Sequence, residues 1–284
     1  MGISVEAFFD KPTFTITYVA WDEASKKAII VDSVMDYDSQ SGKISYQAAD
    51  LVIDFVKNSG LDVVYIMETH VHADHMTSAP YLRDALGGEV CISTGITAVQ
   101  EVFGPVFNAG SNFACDGSQF DRLLADGDKL PLGEAEISII HTPGHTPACI
   151  TIAVGDVAFV GDTIFMPDFG SARTDFPKGD ARTLYQSVQK ILALAPETKL
   201  YVGHDYAPGE RDYEWETTVS VELAENIHLK AGTSEDDFVS MREARDKELA
   251  VPKLLLPAIQ VNINAGALPQ PENNGTRYLK IPLS

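Results

Sequence analysis

Five apolar runs in this chain lead to a histidine or an aspartate, and that recurrence restricts the fold more than any other feature. KAIIVD ends in Asp32, and LDVVYIMET runs straight into His70. VAFVGD ends in Asp162 and LYVGH in His204, while AEISIIHT leads through a Pro-Gly turn to His145. Runs of this length read as buried strands. Polar residues where so many strands release the chain predict that the strand ends converge on one rim. The stretch ETHVHADHM (68–76) concentrates the effect, holding three of the chain's seven histidines. If the extended conformation persists through it, His70, His72 and Asp74 project to one side with period two, and His75 begins the next turn. Imidazole and carboxylate are ligands for divalent first-row metals, so one loop can supply several ligands and the other strand ends the rest.

Taken singly, each residue has a plainer reading. A histidine at a strand end is usually solvent-facing or hydrogen-bonded, and an aspartate in VGDT is usually a turn or a helix cap. His228, on a helix, and His141, four residues before His145, are given that reading. Cys149 in HTPACI reads as a small buried hydrophobe and not as a nucleophile.

The rest of the chain alternates strands with helices. TFTITYVAW (13–21) and KAIIVDSV (27–34) read as strands joined by DEASKK, and DYDSQSGKIS is turn-rich. YQAADLVIDFVKNSG has helical periodicity stopped by Gly60. SAPYLRDALGG is a helix, EVCIS a strand, and ACITIAVGDVAFVGD strand again. ARTLYQSVQKILALAP is an amphipathic helix. WETTVSVELAENIHL and EDDFVSMREARDKELA read as helices, followed by an irregular, proline-containing end. This alternation in both halves suits two sheets with helices outside them. Neither a repeat nor a linker is visible, so residues 1–284 are taken as one domain with a short C-terminal extension from about 215. Residues 103–122 read as one long irregular segment. Its three phenylalanines, Phe103, Phe107 and Phe113, suit anchors of a homo-oligomer interface, most simply a dimer. The alternative is a lid over the site.

The formal net charge is −20, which argues against nucleic acid and anionic membranes as partners. The three cysteines are scattered without a CxxC pair, as expected in a reduced, cytoplasmic setting. The opening residues lack the basic and apolar regions of a signal peptide, and no apolar run approaches a membrane span.

THVHADH, HTPGHT, GDT and GHDY, in that order, resemble the metallo-β-lactamase superfamily. The resemblance implies a four-layer αββα sandwich with metal at one edge between the sheets. Within the superfamily the sequence is most similar to glyoxalase II and the persulfide dioxygenases. GSARTDF (170–176) resembles the GRTDF-type segment of the dioxygenases, with Ser171 and Ala172 intervening, and the tail from NIHL onward is similar to theirs. Two chemistries are implied. In the dioxygenase, one iron(II) is held by His70, His145 and Asp162, with His72, Asp74, His75, His204 and Asp32 around it. Glutathione persulfide and dioxygen are the substrates, and sulfite and glutathione the products. In the hydrolase, two zinc ions are bound: His70, His72 and His145 hold one, Asp74, His75 and His204 the other, and Asp162 bridges. The dioxygenase is chosen on resemblance, since both families carry all these residues. Arg173 is the candidate for a glutathione carboxylate, the alternative being an ion pair with Asp175 or Asp168. Tyr206 either hydrogen-bonds near the metal or packs as a half-buried tyrosine. A metal-binding scaffold without turnover and a nuclease are the further alternatives. The intact ligand set disfavours the first, and the acidic surface disfavours the second.

Overall fold

The computed structural model describes residues 2–110 and 113–283. Two six-stranded sheets face each other. The first runs in the order β1 (Ile3–Asp10), β2 (Thr15–Asp22), β3 (Lys27–Val31), β6 (Asp62–Met67), β7 (Glu89–Ser93), β8 (Arg122–Leu124). A small hairpin, β4 (Asp36–Asp38) with β5 (Lys43–Ser45), lies between β3 and β6 in the chain. The second sheet runs β14 (Glu216–Thr218), β13 (Lys199–Val202), β12 (Val157–Gly161), β11 (Ile150–Val154), β10 (Ala135–His141), β9 (Lys129–Leu132). Tyr18, Ile29 and Met67 from the first sheet meet Ile139, Ile152 and Phe159 from the second, forming the core between them.

The alternate residues of the same strands point outward. Val19, Ile30 and Ile66 are covered by α1 (Gln47–Asn58), α2 (Ala79–Leu86), α3 (Ile96–Val106) and α7 (Leu255–Asn262). Ala158, Val160 and Leu200 are covered by α4 (Ala181–Leu192), α5 (Val219–Glu225) and α6 (Glu235–Asp246). The result is the four-layer αββα sandwich of the metallo-β-lactamase fold. The helices form where sequence allows a buried stripe: α1 turns Ala49, Val52, Ile53 and Val56 inward at helical spacing. Asp180 caps α4 by accepting a hydrogen bond from Thr183 N. No helix among the described residues is long and apolar enough to cross a membrane.

Several elements differ from the sequence reading. β1 pairs along its length with β2, yet it is an edge strand half-buried on both faces, so no in-out alternation marks it. WETTVS begins as strand β14 before the short α5. The supposedly irregular tail contains α7. Pro257 sits in its first turn, where the backbone N–H has no helical partner to lose. The segment 103–122 begins inside a helix, while its described residues from 107 to 121 are turns and bends, as the sequence suggests. α3 continues through Gly104 and Pro105, and Phe103 and Phe107 are 6% and 3% exposed in the outer core of the first sheet. Those two rings are therefore not available as interface anchors; Phe113 alone of the three is partly exposed. Residues 111 and 112 of that segment lie outside the described residues.

Candidate metal centre

β3 pairs in parallel with β6, and β12 with β13, so four strands deliver their C-terminal ends to the same edge of the sandwich. Asp32 follows β3, Glu68 to Met76 follow β6, Asp162 follows β12 and His204 lies two residues past β13. His145 arrives on the connection between β10 and β11. Two glycines let the strand ends pack this closely, Gly161 between the sheets and Gly203 within the second one. A Cβ on Gly161 (φ +49°) would meet Thr69 Oγ1 at 2.4 Å, and one on Gly203 would meet Asp162 Oδ1 at 2.7 Å. After β6 the chain bends and does not stay extended, so the expected period-two set divides: His70 falls in one group of potential ligands, and His72 and Asp74, with His75, fall in another.

Ligand-type atoms of His70, His145 and Asp162 all lie within 4.8 Å of one another, and so do those of His72, Asp74 and His75. Asp162 Oδ2 is 3.9 Å from His70 Nε2 and 3.8 Å from His145 Nε2. His204 joins the groups, with its Nε2 3.3 Å from Asp162 Oδ1 and 3.5 Å from Asp74 Oδ2. All seven residues named from the strand ends and the histidine-rich loop thus come together in one cluster, and Asp32 stands behind His72.

Each ring is held by one nitrogen. Thr69 Oγ1 donates to Asp32 Oδ2 at 2.8 Å and therefore accepts from His70 Nδ1–H at 3.0 Å, which leaves His70 Nε2 with its lone pair. His72 Nε2 donates to Asp32 Oδ1 at 3.0 Å and lies 3.2 Å from Glu68 Oε2, leaving Nδ1 free. His145 Nδ1 donates to the Arg173 carbonyl at 2.8 Å. His204 Nδ1 faces the Phe14 carbonyl at 3.3 Å, and His75 Nδ1 faces Asp74 Oδ2 at 3.2 Å. Thr15 Oγ1 lies 3.3 Å from His75 Nδ1 and 3.4 Å from His204 Nδ1. Buried and without a hydrogen-bond partner are His70 Nε2, His72 Nδ1, His75 Nε2 and Asp162 Oδ1. Unpaired buried polar atoms are costly, and those four sit in these two groups; a third group of potential ligands among the described residues is Asp32, Glu68 and His72. Imidazole nitrogens with a carboxylate, each ring oriented from behind, fit a divalent first-row metal ion.

Charge follows the same division. Burial, helped by neighbouring His72 and His145, pushes His70 well below the usual histidine range and keeps it neutral. Burial also opposes charge on His72, but Asp32 and Glu68 outweigh it and hold this ring well above that range. On His204 burial is outweighed by Asp162 and Asp74, which raise it. Cys149 is pushed up to about 12 by burial and lies against Thr146, as a neutral packing thiol.

Arg173 lies beside the centre with its guanidinium engaged. Nε and Nη2 donate to Asp175 at 2.5 and 2.6 Å, and Nη1 donates to the Ala250 carbonyl at 2.8 Å. The ion pair with Asp175 is thus formed, and the arginine's backbone carbonyl orients His145. Tyr206 packs 5.9 Å from His204 and 4.7 Å from Phe169 between ring centroids, yet remains 40% exposed. His141 contacts the Leu124 carbonyl and His228 contacts Ser171, both outside the cluster.

Glu68, Thr15, Thr69 and Asn262 belong to the centre but were not singled out from the sequence. Glu68 obeys the same strand-end rule as Asp32, and that signal was available. Asn262 is different: its Nδ2 donates to the carbonyls of His72 and His75, both at 2.8 Å, from the far end of the chain. Nothing local in the sequence marks it.

The fold and the donor set are of one well-known kind: the chain belongs to the metallo-beta-lactamase superfamily, whose profile matches residues 11–204. It is similar to the "Probable metallo-hydrolase" of Burkholderia pseudomallei strain 1710b, 54% identical over 99% of both chains. It is 28% identical to the human mitochondrial persulfide dioxygenase ETHE1, over 93% of this chain and 89% of that protein. Among solved structures, ETHE1 from Myxococcus xanthus aligns with a TM-score of 0.73 at 29% identity, over 93% of this chain and all (100%) of that one.

Proposed function

We propose that the chain is a non-haem iron(II) persulfide dioxygenase, converting glutathione persulfide, dioxygen and water to glutathione and sulfite. The observation that carries this reading is the His70, His145 and Asp162 group: two histidines and one carboxylate around a single point. That set is the one associated with oxygen-using iron(II) centres. The similarity to ETHE1 proteins, in sequence and in fold, supports the same choice.

Bound there, iron(II) would supply a redox-active centre with coordination positions left free by the protein. The chain's own residues do the rest. Thr69 and the Arg173 carbonyl fix the rings of His70 and His145 so that Nε2 of each faces inward. His72, held by Asp32 and Glu68, and His204, against Asp74, form the polar surround. Phe14, Phe165, Phe169 and Tyr206 build an aromatic wall beside His204 that excludes water from one side. Arg173 is the cation beside the centre, and a substrate carboxylate reaches it by competing with Asp175. Residues 1–284 act as one functional unit, because α6 and α7 contribute to opposite outer layers.

A second reading has its own observation. The group His72, Asp74 and His75 is as tight as the first and contains unpaired ring nitrogens, which suits a dinuclear zinc thioesterase. Oxygen-electrode measurements separate the two. Iron-loaded protein should consume dioxygen when given glutathione persulfide and release sulfite, and should not turn over glutathione. Rapid cleavage of lactoylglutathione by zinc-loaded protein, with no persulfide-dependent oxygen uptake by the iron-loaded form, would replace the dioxygenase with the hydrolase.

A further inference from the structure

The loop that carries four candidate ligands has few backbone partners of its own. Between Glu68 and Met76 the chain is neither helix nor strand. One side chain from the other end of the sequence secures it. Asn262, the last residue of α7 and 3% exposed, makes three hydrogen bonds to this loop and its exit. Its Oδ1 accepts from Thr77 N at 2.9 Å, and its Nδ2 donates to the carbonyls of His72 and His75 at 2.8 Å each. The effect reaches the rings through a short relay. Thr77 Oγ1 donates to Glu68 Oε1 at 2.6 Å, and Glu68 Oε2 lies against His72 Nε2.

Only a carboxamide can do this. Three backbone atoms are gripped at once, two acceptors and one donor, so the clamp needs an NH2 and a carbonyl in one rigid plane. Aspartate could accept from Thr77 N but would turn a carboxylate toward two carbonyl oxygens. α7 is seated independently of the clamp. Ala258 and Ile259 are fully buried, and Gln100 Nε2 donates to the Ile263 carbonyl at 2.9 Å. Residue 262 also lies outside the stretch, 11–204, that matches the superfamily profile.

We propose that Asn262 is a positioning residue of the metal centre: its carboxamide, in contact with the backbone at His72, His75 and Thr77, sets the geometry and affinity of the ligand loop. The inference rests on reading the cleft as a metal site and not on which reaction occurs there.

Cobalt(II), whose visible bands report ligand geometry, is the probe for the full-length protein. Affinity is measured by competition with a chelator, and the metal-free fold by thermal melting. Asn262→Asp should weaken cobalt binding roughly 10–100-fold and change the visible bands. The direction is informative, because an added negative charge near the cluster would by itself tighten the binding of a cation. Ile259→Val thins the packing of the same helix and should lower the melting temperature while leaving affinity and bands as in the native protein. Native affinity and spectrum in Asn262→Asp would overturn the proposal. So would an equal loss of affinity in Ile259→Val, since helix packing would then be the cause. Should Asn262→Asp fail to fold, Asn262→Gln, which moves the same amide by one methylene, is judged by the same criteria. If the native protein takes up no cobalt that His70→Ala abolishes, the metal reading itself falls and the proposal with it. That outcome is distinct from a native protein that binds and a variant that binds equally.

Discussion

Glu222 on α5 should make the protein less stable as the solution becomes more alkaline, and replacing it with glutamine should remove that dependence. The side chain is fully buried, accepts one hydrogen bond from Asn226 Nδ2 at 2.6 Å, and leaves Oε1 without a partner. Among the described residues no cation pairs with it; burial raises its pKa from 4.5 to about 7 against the pull of Asn226. The sign follows from linkage. Below about 4.5 the carboxyl is protonated in both states and is neutral in its effect. Between about 4.5 and 7 the unfolded chain ionises and the folded one resists, so stability falls as pH rises. Above about 7 both states are ionised and the loss is constant. A shift of this size corresponds to at most about 3 kcal/mol at 1.36 kcal/mol per unit. Glutamine keeps the acceptor for Asn226 and turns an NH2 toward Thr217 Oγ1, which also lacks a partner. Urea unfolding of native protein and Glu222→Gln, followed by circular dichroism from pH 5 to pH 8, is the assay. The variant should be more stable at pH 8 by up to about 3 kcal/mol, with the difference shrinking toward pH 5. Taking the difference at each pH cancels the histidines, which both proteins share. Parallel curves, or a variant less stable at pH 8, would refute the reasoning.

Asp162→Ala should lose bound metal by elemental analysis while its circular dichroism spectrum stays native, because the fold rests on two buried sheets and not on this carboxylate. Arg242→Met should destabilise by about 3–5 kcal/mol in urea, since it strands the buried Asp246 carboxylate; the guanidinium contacts Asp246 at 2.8 and 2.9 Å and the Ser171 carbonyl at 3.1 Å. Adding Asp246→Asn should recover part of that loss, because the orphaned charge is gone while an acceptor for Thr174 N and Oγ1 remains. Gly161→Ala should lower both the melting temperature and the metal affinity, because the new methyl would push on Thr69, which orients His70.

The sheets and the first ring of the centre are legible in the sequence because each ligand follows an apolar run. Asp32, Asp162 and His204 are each placed by a strand, and strands announce themselves by composition. Where the signal fails, the physics explains it. β1 is half-buried on both faces and shows no alternation. α7 begins with Leu-Leu-Pro, which reads as a break although proline is tolerated in a first turn. Phe103 and Phe107 look like surface aromatics because Gly104 and Pro105 lie between them, yet α3 continues and buries both. Arg173 shows the limit most clearly. Its candidacy and its pairing with Asp175 were both readable from GSARTDF, but its bond to the Ala250 carbonyl depends on a loop that only the folded chain brings there.

Asn262 and Thr77 are 185 positions apart. A ribosome adding roughly 5–20 residues per second needs on the order of 10–40 s to cover that distance. For that interval the histidine-rich loop has left the tunnel or is leaving it, while the amide that disciplines it has not been synthesised. The four candidate ligands of this loop, His70, His72, Asp74 and His75, are early products of translation, and the clamp proposed for them is among the last. On the clamp proposed for Asn262, a nascent chain therefore meets free cations with an unsecured loop, and selective loading waits for α7 to dock.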